Sequence, residues 1–260
     1  MGALSYWNGI ALLQLIIFPI ILVAAIFIWK RTGWRVGSKI WRYAVTLSLI
    51  RIAGSISSLL SINHNSHGIE VAVAVCQLIG IAPLLLTFIG LLRQIDMDEI
   101  MPPKPMKLVT IVTFIGLVLG IAGVSSADDS NGGYKPGTLA KSAMGIFLAV
   151  FVIFILLSIW LFYELSFSLR RFQKKLFIAI ALSSPFLFVR LLYSALSDYT
   201  SIEAFSLDGN ATVYLCMAVL EEIIAMSVTM ALGISAVLEK DFVKLTPVSQ
   251  EDTEQKPMRV

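Results

Sequence analysis

The feature that most constrains this chain is a series of long runs without charged residues. The run MGIFLAVFVIFILLSIWLFY, over 144–163, contains 20 such residues, and about 20 apolar residues in a helix cross the hydrocarbon core of a bilayer. A transmembrane β-barrel would instead show segments of about ten residues that alternate in polarity. We therefore predict an all-α polytopic membrane protein with seven transmembrane helices, at 9–29, 40–62, 71–92, 108–124, 142–163, 176–196 and 212–238.

The composition agrees with a membrane protein. Of the 260 residues, 57% are hydrophobic and 14% are charged, whereas a soluble domain carries about 25% charged residues. No segment outside the apolar runs is long enough for a second folded domain, so we expect one transmembrane domain over 1–239. The segment TPVSQEDTEQKP is polar and contains proline, which predicts a disordered cytosolic tail over 240–260.

The positions of lysine and arginine predict the orientation, because positively charged loops remain on the cytoplasmic side. Of the 20 lysine and arginine residues, 16 lie in or beside the first, third and fifth loops or in the tail, and two lie in the fourth loop. These counts place the N-terminus outside and the C-terminus in the cytosol. The first run has no basic segment before it and no cleavage site after it, so we expect an uncleaved helix. The plasma membrane and an endomembrane both fit.

Asn210 is a candidate glycosylation site. It begins the sequence Asn-Ala-Thr, which is an acceptor for N-linked glycans. The sixth loop, which contains Asn210, is placed outside by the charge distribution independently of this motif. Its closeness to the predicted seventh helix argues against occupancy.

Four charged side chains, Arg51, Arg190, Glu221 and Glu222, fall inside predicted membrane helices. A charge at the middle of a bilayer costs about 2.5 to 3.5 kcal/mol, so such residues usually face the bundle interior and find a partner. From the helical rise, Arg51 lies about 12 Å, Glu221 about 16 Å and Arg190 about 21 Å from the inner membrane face. Because these depths allow contact, we predict a buried polar cluster among the second, sixth and seventh helices.

Helical spacing defines the faces of these charges, since residues three, four and seven apart share a face. Small residues around Glu221 permit close helix approach, and Glu221 is the expected partner of Arg51. Glu222 is rotated by about 100° from Glu221 and need not share that partner. The cluster is either an ion-pair network that fixes helix assembly or a site for protons, ligand or switching. Its polar neighbours are Ser55 and Ser58 beside Arg51, and Tyr193 and Ser194 beside Arg190.

The remaining reactive residue types predict no enzyme. His64 and His67 lie in a predicted outer turn and lack the third ligand that catalytic zinc requires. The acidic segment at 128–133 lacks EF-hand spacing, so a turn is preferred. Cys76 and Cys216 are best interpreted as small hydrophobic residues, with a disulfide as the alternative. We expect no metal, no cofactor and no catalytic residue.

Five segments together resemble one protein family. They are LIRIAGSISSLL, GIAPLLLTFIGLLRQ, DSNGGYKPGTLAKSAMGIFL, SSPFLFVRLLYSALSDY and GNATVYLCMAVLEEIIAM. In order and spacing, over about 5–239, the chain resembles fungal seven-helix membrane proteins grouped as a domain of unknown function. A broader similarity to fungal RTA-like lipid-translocating exporters concerns architecture only. The resemblance implies a fungal source, a single seven-helix domain and no particular activity. The family's motif positions match Arg51, Arg190, Tyr193, Asp198, Asn210, Glu221 and Glu222.

Three classes of function fit these features. Seven helices with an outer N-terminus, basic inner loops and a phosphorylatable tail favour a receptor-like membrane sensor, although a fold alone does not establish function. The third helix ends in LLRQID, without the acidic-Arg-Tyr triplet of G-protein-coupled receptors. A transporter or lipid-translocating exporter that uses the same cluster is the alternative, and a structural membrane subunit is the second alternative. The expected partners are the lipid bilayer and a small-molecule or lipid ligand, with no nucleic acid.

Overall fold

The structure is a computed structural model, and the residues it describes form a bundle of helices without a strand among them. The described residues are 6–33, 37, 40–61, 76, 80–96, 100–101, 103–125, 137–166, 169–200 and 210–242. The helices are α1 (Tyr6–Thr32), α2 (Arg42–Leu60), α3 (Ile81–Ile95), α4 (Pro103–Ser125), α5 (Thr138–Leu165), α6 (Arg171–Tyr199) and α7 (Ala211–Val237). The last of these contains a π-helical turn at Leu215–Val219.

Six of these helices are long and apolar enough to cross a membrane, and α3 is a shorter apolar helix of 15 residues. The expectation of a helical integral membrane protein is therefore confirmed, while the seventh crossing, the orientation and the single-domain division stay predictions. The predicted run 71–92 overlaps α3 from residue 81, since 71–75 and 77–79 lie outside the described residues. Both α1 and α6 extend past their predicted runs, because lysine and arginine at helix ends are good helix formers.

The bundle is built around α3. Every residue of this helix except Arg93 is buried, and it contacts α2, α4, α5 and α6. A helix that is apolar on all sides belongs inside a bundle. Around it, α1 packs on α2, α4 on α5 and α6 on α7, while contacts between α7 and α1 close the ring.

The outward faces of the surrounding helices are apolar. Ile16 and Ile20 of α1, Val118 of α4 and Leu156 of α5 are each more than half exposed. Large contiguous apolar patches are rare on soluble proteins. These faces therefore contact lipid tails in the membrane.

Glycine brings helices into close contact at two points. A Cβ at Gly123 of α4 would lie 2.6 Å from the backbone nitrogen of Ala140 of α5. A Cβ at Gly233 of α7 would lie 2.9 Å from the side chain of Trp41, which is fully buried. Small residues are the usual means of close helix packing in membranes, where no hydrophobic force draws helices together.

The start of α6 is joined to the chain that follows α7. Lys175 of α6 donates to Ser235 Oγ over 2.7 Å and forms an ion pair with Glu239. Gln173 Nε2 also donates to the backbone carbonyl of Ile95, at the end of α3, over 2.9 Å. These contacts place the ends of α3 and α7 beside the start of α6, at the end of the bundle where lysine and arginine collect. We call it the basic end.

Two further contacts strengthen this connection. The backbone N–H of Arg171 donates to Asp241 Oδ2 over 3.1 Å. The rings of Phe172 and Phe242 lie 5.7 Å apart in an edge arrangement. The first residues of the predicted tail, 240–242, therefore pack near α6, whereas 243–260 lie outside the described residues. We call the whole set the basic-end latch: Arg171, Phe172, Lys175, Ser235, Glu239, Asp241 and Phe242.

Cysteine labelling should report the orientation of the helices. In a chain with Cys76→Ser and Cys216→Ser, Lys141→Cys should react with a membrane-impermeant maleimide in intact cells. Lys107→Cys should react only after permeabilisation, because the charge distribution places Lys107 in the cytosol and Lys141 outside. The reverse pattern of labelling would contradict the predicted orientation.

Candidate functional site

Arg51 of α2 and Glu222 of α7 form a bidentate ion pair inside the bundle. Arg51 Nε donates to Glu222 Oε1 over 2.5 Å, and Arg51 Nη2 donates to Glu222 Oε2. The third nitrogen, Nη1, donates to the backbone carbonyl of Cys76 over 3.3 Å. The side chains of Arg51 and Glu222 are 4% and 2% exposed. Paired N–H···O bonds between guanidinium and carboxylate are among the strongest in proteins, so this pair fastens α2 to α7.

Arg190 of α6 brings a second cation to the same carboxylate. Its Nε lies 3.7 Å from Glu222 Oε2, the oxygen that also accepts from Arg51. Arg190 Nη1 donates to Ser194 Oγ over 2.6 Å, and the guanidinium carbon lies 6.0 Å from the centre of the Tyr193 ring, within reach of cation–π attraction. We call Arg51, Arg190 and Glu222 the triad. One carboxylate thereby connects α2, α6 and α7.

Glu222, and not the expected Glu221, is the partner of Arg51 because α7 is not a regular α-helix. In a regular helix Glu221, seven residues after Tyr214, would share the face of Tyr214. The π turn at Leu215–Val219 has hydrogen bonds five residues apart and adds one residue to that face. The buried face of Tyr214 therefore continues at Glu222. Glu221 is only partly buried, and its Oε2 has no hydrogen-bond partner among the described residues.

A small cavity adjoins the triad on the side away from the basic end. Its volume is about 20 Å³, and it is lined by residues of α1, α2 and α7 that include Gln14, Ser58 and Tyr214, together with Arg51. A cavity needs about 10 to 15 Å³ to hold a water molecule, so there is room for about one beside the guanidinium. The rings of Trp7 and Tyr214, whose centroids lie 5.4 Å apart, border it at the helix starts. We call this space the triad cleft.

Gln14 and Tyr214 belong to the site, although sequence reasoning missed them. Ser55 Oγ lies 2.7 Å from the Arg51 carbonyl oxygen and 3.3 Å from Gln14 Oε1, and the Gln14 side chain is hydrogen-bonded to Tyr214. Glutamine is a common interhelical hydrogen-bonding residue, so its presence in an uncharged run was a usable signal. Tyr214 gave no such signal, because the π turn separates it from Glu222 by eight residues instead of seven.

Asp198 extends the polar face of α6 away from the basic end. Residues 190, 194 and 198 share a face, because they are four residues apart. Asp198 is buried, and its Oδ1 has no hydrogen-bond partner among the residues the structure describes. The charges that act on it are those of Lys141 and Arg190. Arg190, Ser194 and Asp198 therefore form a row of polar groups that begins at the triad.

Asn210 has a structural role at the start of α7. Its side-chain oxygen accepts a hydrogen bond from the N–H of Thr212 over 2.9 Å. Asparagine is a preferred N-cap residue because this bond satisfies a free N–H of the first turn. Asn210 is exposed, and its glycosylation stays a prediction.

The other sequence candidates lie apart from the triad or outside the described residues. Cys76 and Cys216 are free thiols, so the alternative disulfide is not formed. His64, His67 and the acidic segment 128–133 lie outside the described residues. Within the described ranges, no group of three or more histidine, cysteine and acidic residues is placed to hold a metal ion.

The helices and the triad together define a helical integral membrane protein with a charged interior. Comparison with protein families then identifies its family: the model for Domain of unknown function (DUF7702) matches residues 4–240, and the chain belongs to this family. Comparisons with curated proteins and with solved structures gave no match. The function must therefore be argued from the site itself.

Neutralising Glu222 should severely destabilise the bundle. Glu222→Gln leaves Arg51 and Arg190 buried beside each other without the carboxylate, and removing one partner of a buried ion pair costs about 3 to 5 kcal/mol. We expect loss of monodisperse protein or a large fall in melting temperature, measured by size exclusion of detergent-purified protein after heating. Glu221→Gln is the matched control and should behave like the wild type. Equal stability of the two variants would contradict the assigned pairing.

Adding a methyl group at Gly80 should disturb the triad from outside. A Cβ at Gly80 would lie 2.7 Å from Cζ of Arg51 and closer still to Nη2. The φ of −56° at Gly80 suits any residue, so the effect of Gly80→Ala comes from this contact. Such overpacking costs about 1 to 3 kcal/mol, and we expect a lower melting temperature. Gly137→Ala, whose Cβ meets nothing within 4 Å, is the control; equal melting temperatures would contradict the expected clash.

Proposed function

We propose that the protein is a receptor-like membrane sensor in which the triad changes its pairing when a ligand enters the triad cleft. The observation that carries the proposal is the sharing of Glu222 Oε2 between Arg51 and Arg190. A carboxylate forms a bidentate pair with one guanidinium at a time. The same three side chains therefore have two alternative pairings, and each pairing holds a different set of helices together.

The chemistry of the cleft favours a ligand with a carboxylate or phosphate group. Arg51 lines the cleft, and guanidinium groups bind these anions through paired hydrogen bonds. A bound anion would compete with Glu222 for Arg51, which leaves the Glu222 carboxylate to Arg190. In that state α7 is held more firmly to α6 and less firmly to α2.

The basic-end latch gives such a switch an output. α6 carries both Arg190 and Lys175, and α7 carries Glu222 and leads into Glu239. A ligand shifts a conformational equilibrium only if it binds the two states differently, and here the difference is the pairing of one carboxylate. A change between α6 and α7 at the triad therefore alters the contacts of the latch, from which the predicted tail continues.

A transporter for the same anionic group is the second candidate function. The row of Arg190, Ser194 and Asp198 along α6 favours it, because polar and ionisable residues within membrane helices often mark substrate or proton pathways. A transporter must open the triad to each side of the membrane in turn, whereas a sensor need open to one side only. The fungal source and the architectural similarity to RTA-like exporters stay predictions.

The latch should respond to the triad even without ligand. Arg51→Gln removes the competitor for Glu222 and so imitates the anion-bound state. In the Cys76→Ser and Cys216→Ser chain in nanodiscs, spin labels at Lys174→Cys and Lys240→Cys should move by at least about 1 to 2 Å in Arg51→Gln, as is typical of helix shifts. Pulsed electron paramagnetic resonance measures this distance directly.

A control and a flux assay separate the alternatives. Arg42→Gln makes the same change at an exposed arginine of α2 and should leave the label distance unchanged. An unchanged distance in folded Arg51→Gln protein would reject the sensor. Movement of phosphate or succinate into proteoliposomes, abolished by Glu222→Asp, would instead favour the transporter.

A further inference from the structure

A groove on the lipid face between α5 and α6 lies apart from the triad. Its volume is about 870 Å³, and its walls include Ile159, Phe162 and Ile178. These three side chains are each 47 to 50% exposed. Sites for small molecules span about 300 to 1,000 Å³, so the groove has the size of a binding site rather than of a packing defect.

The walls of the groove are fixed by aromatic contacts between the two helices. The rings of Phe162 and Phe177, which both line the groove, lie 5.5 Å apart in an edge arrangement. Farther along, Phe151 of α5 stacks on Phe188 of α6 at 6.0 Å. The helices therefore meet at both points, and the groove lies on the lipid side of these contacts.

The length of the groove corresponds to one leaflet of a bilayer. Along α6 it is lined from Lys174 to Ser184, and ten residues of helix correspond to about 15 Å. This is about half of the roughly 30 Å hydrocarbon core. An occupant that extends from the membrane surface to the bilayer midplane fits this shape better than a compact molecule.

The charge of the groove is concentrated at the basic end. Lys174 and Ser166 line it there, and the exposed Lys174 ammonium has no hydrogen-bond or ion-pair partner among the described residues. Farther in, the hydroxyls of Ser158 and Ser184 donate to backbone carbonyls of their own helices over 2.8 and 2.6 Å. The inner part therefore offers apolar surface, and the mouth offers an ammonium group.

We propose that this groove binds one anionic glycerophospholipid from the leaflet at the basic end. Its phosphate meets Lys174, and an acyl chain lies along Phe162 and Ile178. Basic pockets between transmembrane helices recognise anionic headgroups, and the predicted orientation places this mouth in the cytoplasmic leaflet, where anionic lipids concentrate. The site is independent of the triad and of the proposed sensor function.

Lipid titration of the delipidated full-length protein tests this site. Native mass spectrometry should show tighter binding of phosphatidylserine than of phosphatidylcholine to the wild-type protein. Lys174→Gln should weaken phosphatidylserine binding about fivefold, as expected for one basic residue beside an anionic headgroup, and should leave phosphatidylcholine binding unchanged. Glycerophosphoserine, which has the headgroup without acyl chains, should bind far more weakly.

Matched variants separate the groove from general effects. Lys107→Gln makes the same charge change on α4 and should leave phosphatidylserine binding unchanged. Ala181 lines the groove, whereas its neighbour Leu182 is exposed to lipid outside it. Ala181→Trp should therefore prevent binding of both lipids, and Leu182→Trp should not. Because Lys174 is exposed, the Lys174→Gln result does not depend on whether Ala181→Trp folds.

Four results would each overturn the proposal. They are equal affinity of the wild type for the two lipids, equal weakening by Lys107→Gln and Lys174→Gln, unaltered binding to folded Ala181→Trp, and binding of glycerophosphoserine as tight as that of phosphatidylserine. The last result would show a site for the phosphate group alone.

Discussion

A carboxylate held between two arginines in a low-dielectric interior is the interaction on which the helix arrangement depends. Neither charge type is tolerated alone at this depth, because a buried ion without a partner costs several kcal/mol. Glu222 satisfies this requirement for Arg51 through two hydrogen bonds and lies close to Arg190. The three residues come from α2, α6 and α7, so the electrostatic requirement of one side chain positions three helices relative to one another.

The backbone of α7 decides which acid fulfils that role. The π turn at Leu215–Val219 shifts the helical face by one residue, and this shift selects Glu222 over Glu221. Single π turns within α-helices occur frequently at functional sites, which agrees with the position of this turn beside the triad. The unselected Glu221 lies partly buried and outside the ion pairs of the triad, so two neighbouring carboxylates of the same chemistry have different environments.

α6 connects the features discussed here. Its middle carries Arg190 of the triad, and its start carries Lys175 of the basic-end latch and Lys174 of the lipid-facing groove. α7 accompanies it on one side and α5 on the other. Because a helix is stiff over its length, a change in the pairing of Arg190 is expected to reach the latch, while the groove faces lipid on the side of α5.

The sequence by itself determined that the chain is a helical membrane protein and that Arg51 and Arg190 need partners, since apolar run length and the cost of charge in hydrocarbon depend only on residue order. Only the tertiary structure decided which acid pairs with Arg51, and it alone brought Gln14 and Tyr214 to the same place. The reason is that a regular helical period carries no information about a π turn or about contacts between distant helices. Pairing in the interior depends on ångström distances, which backbone hydrogen bonding and helix packing set together.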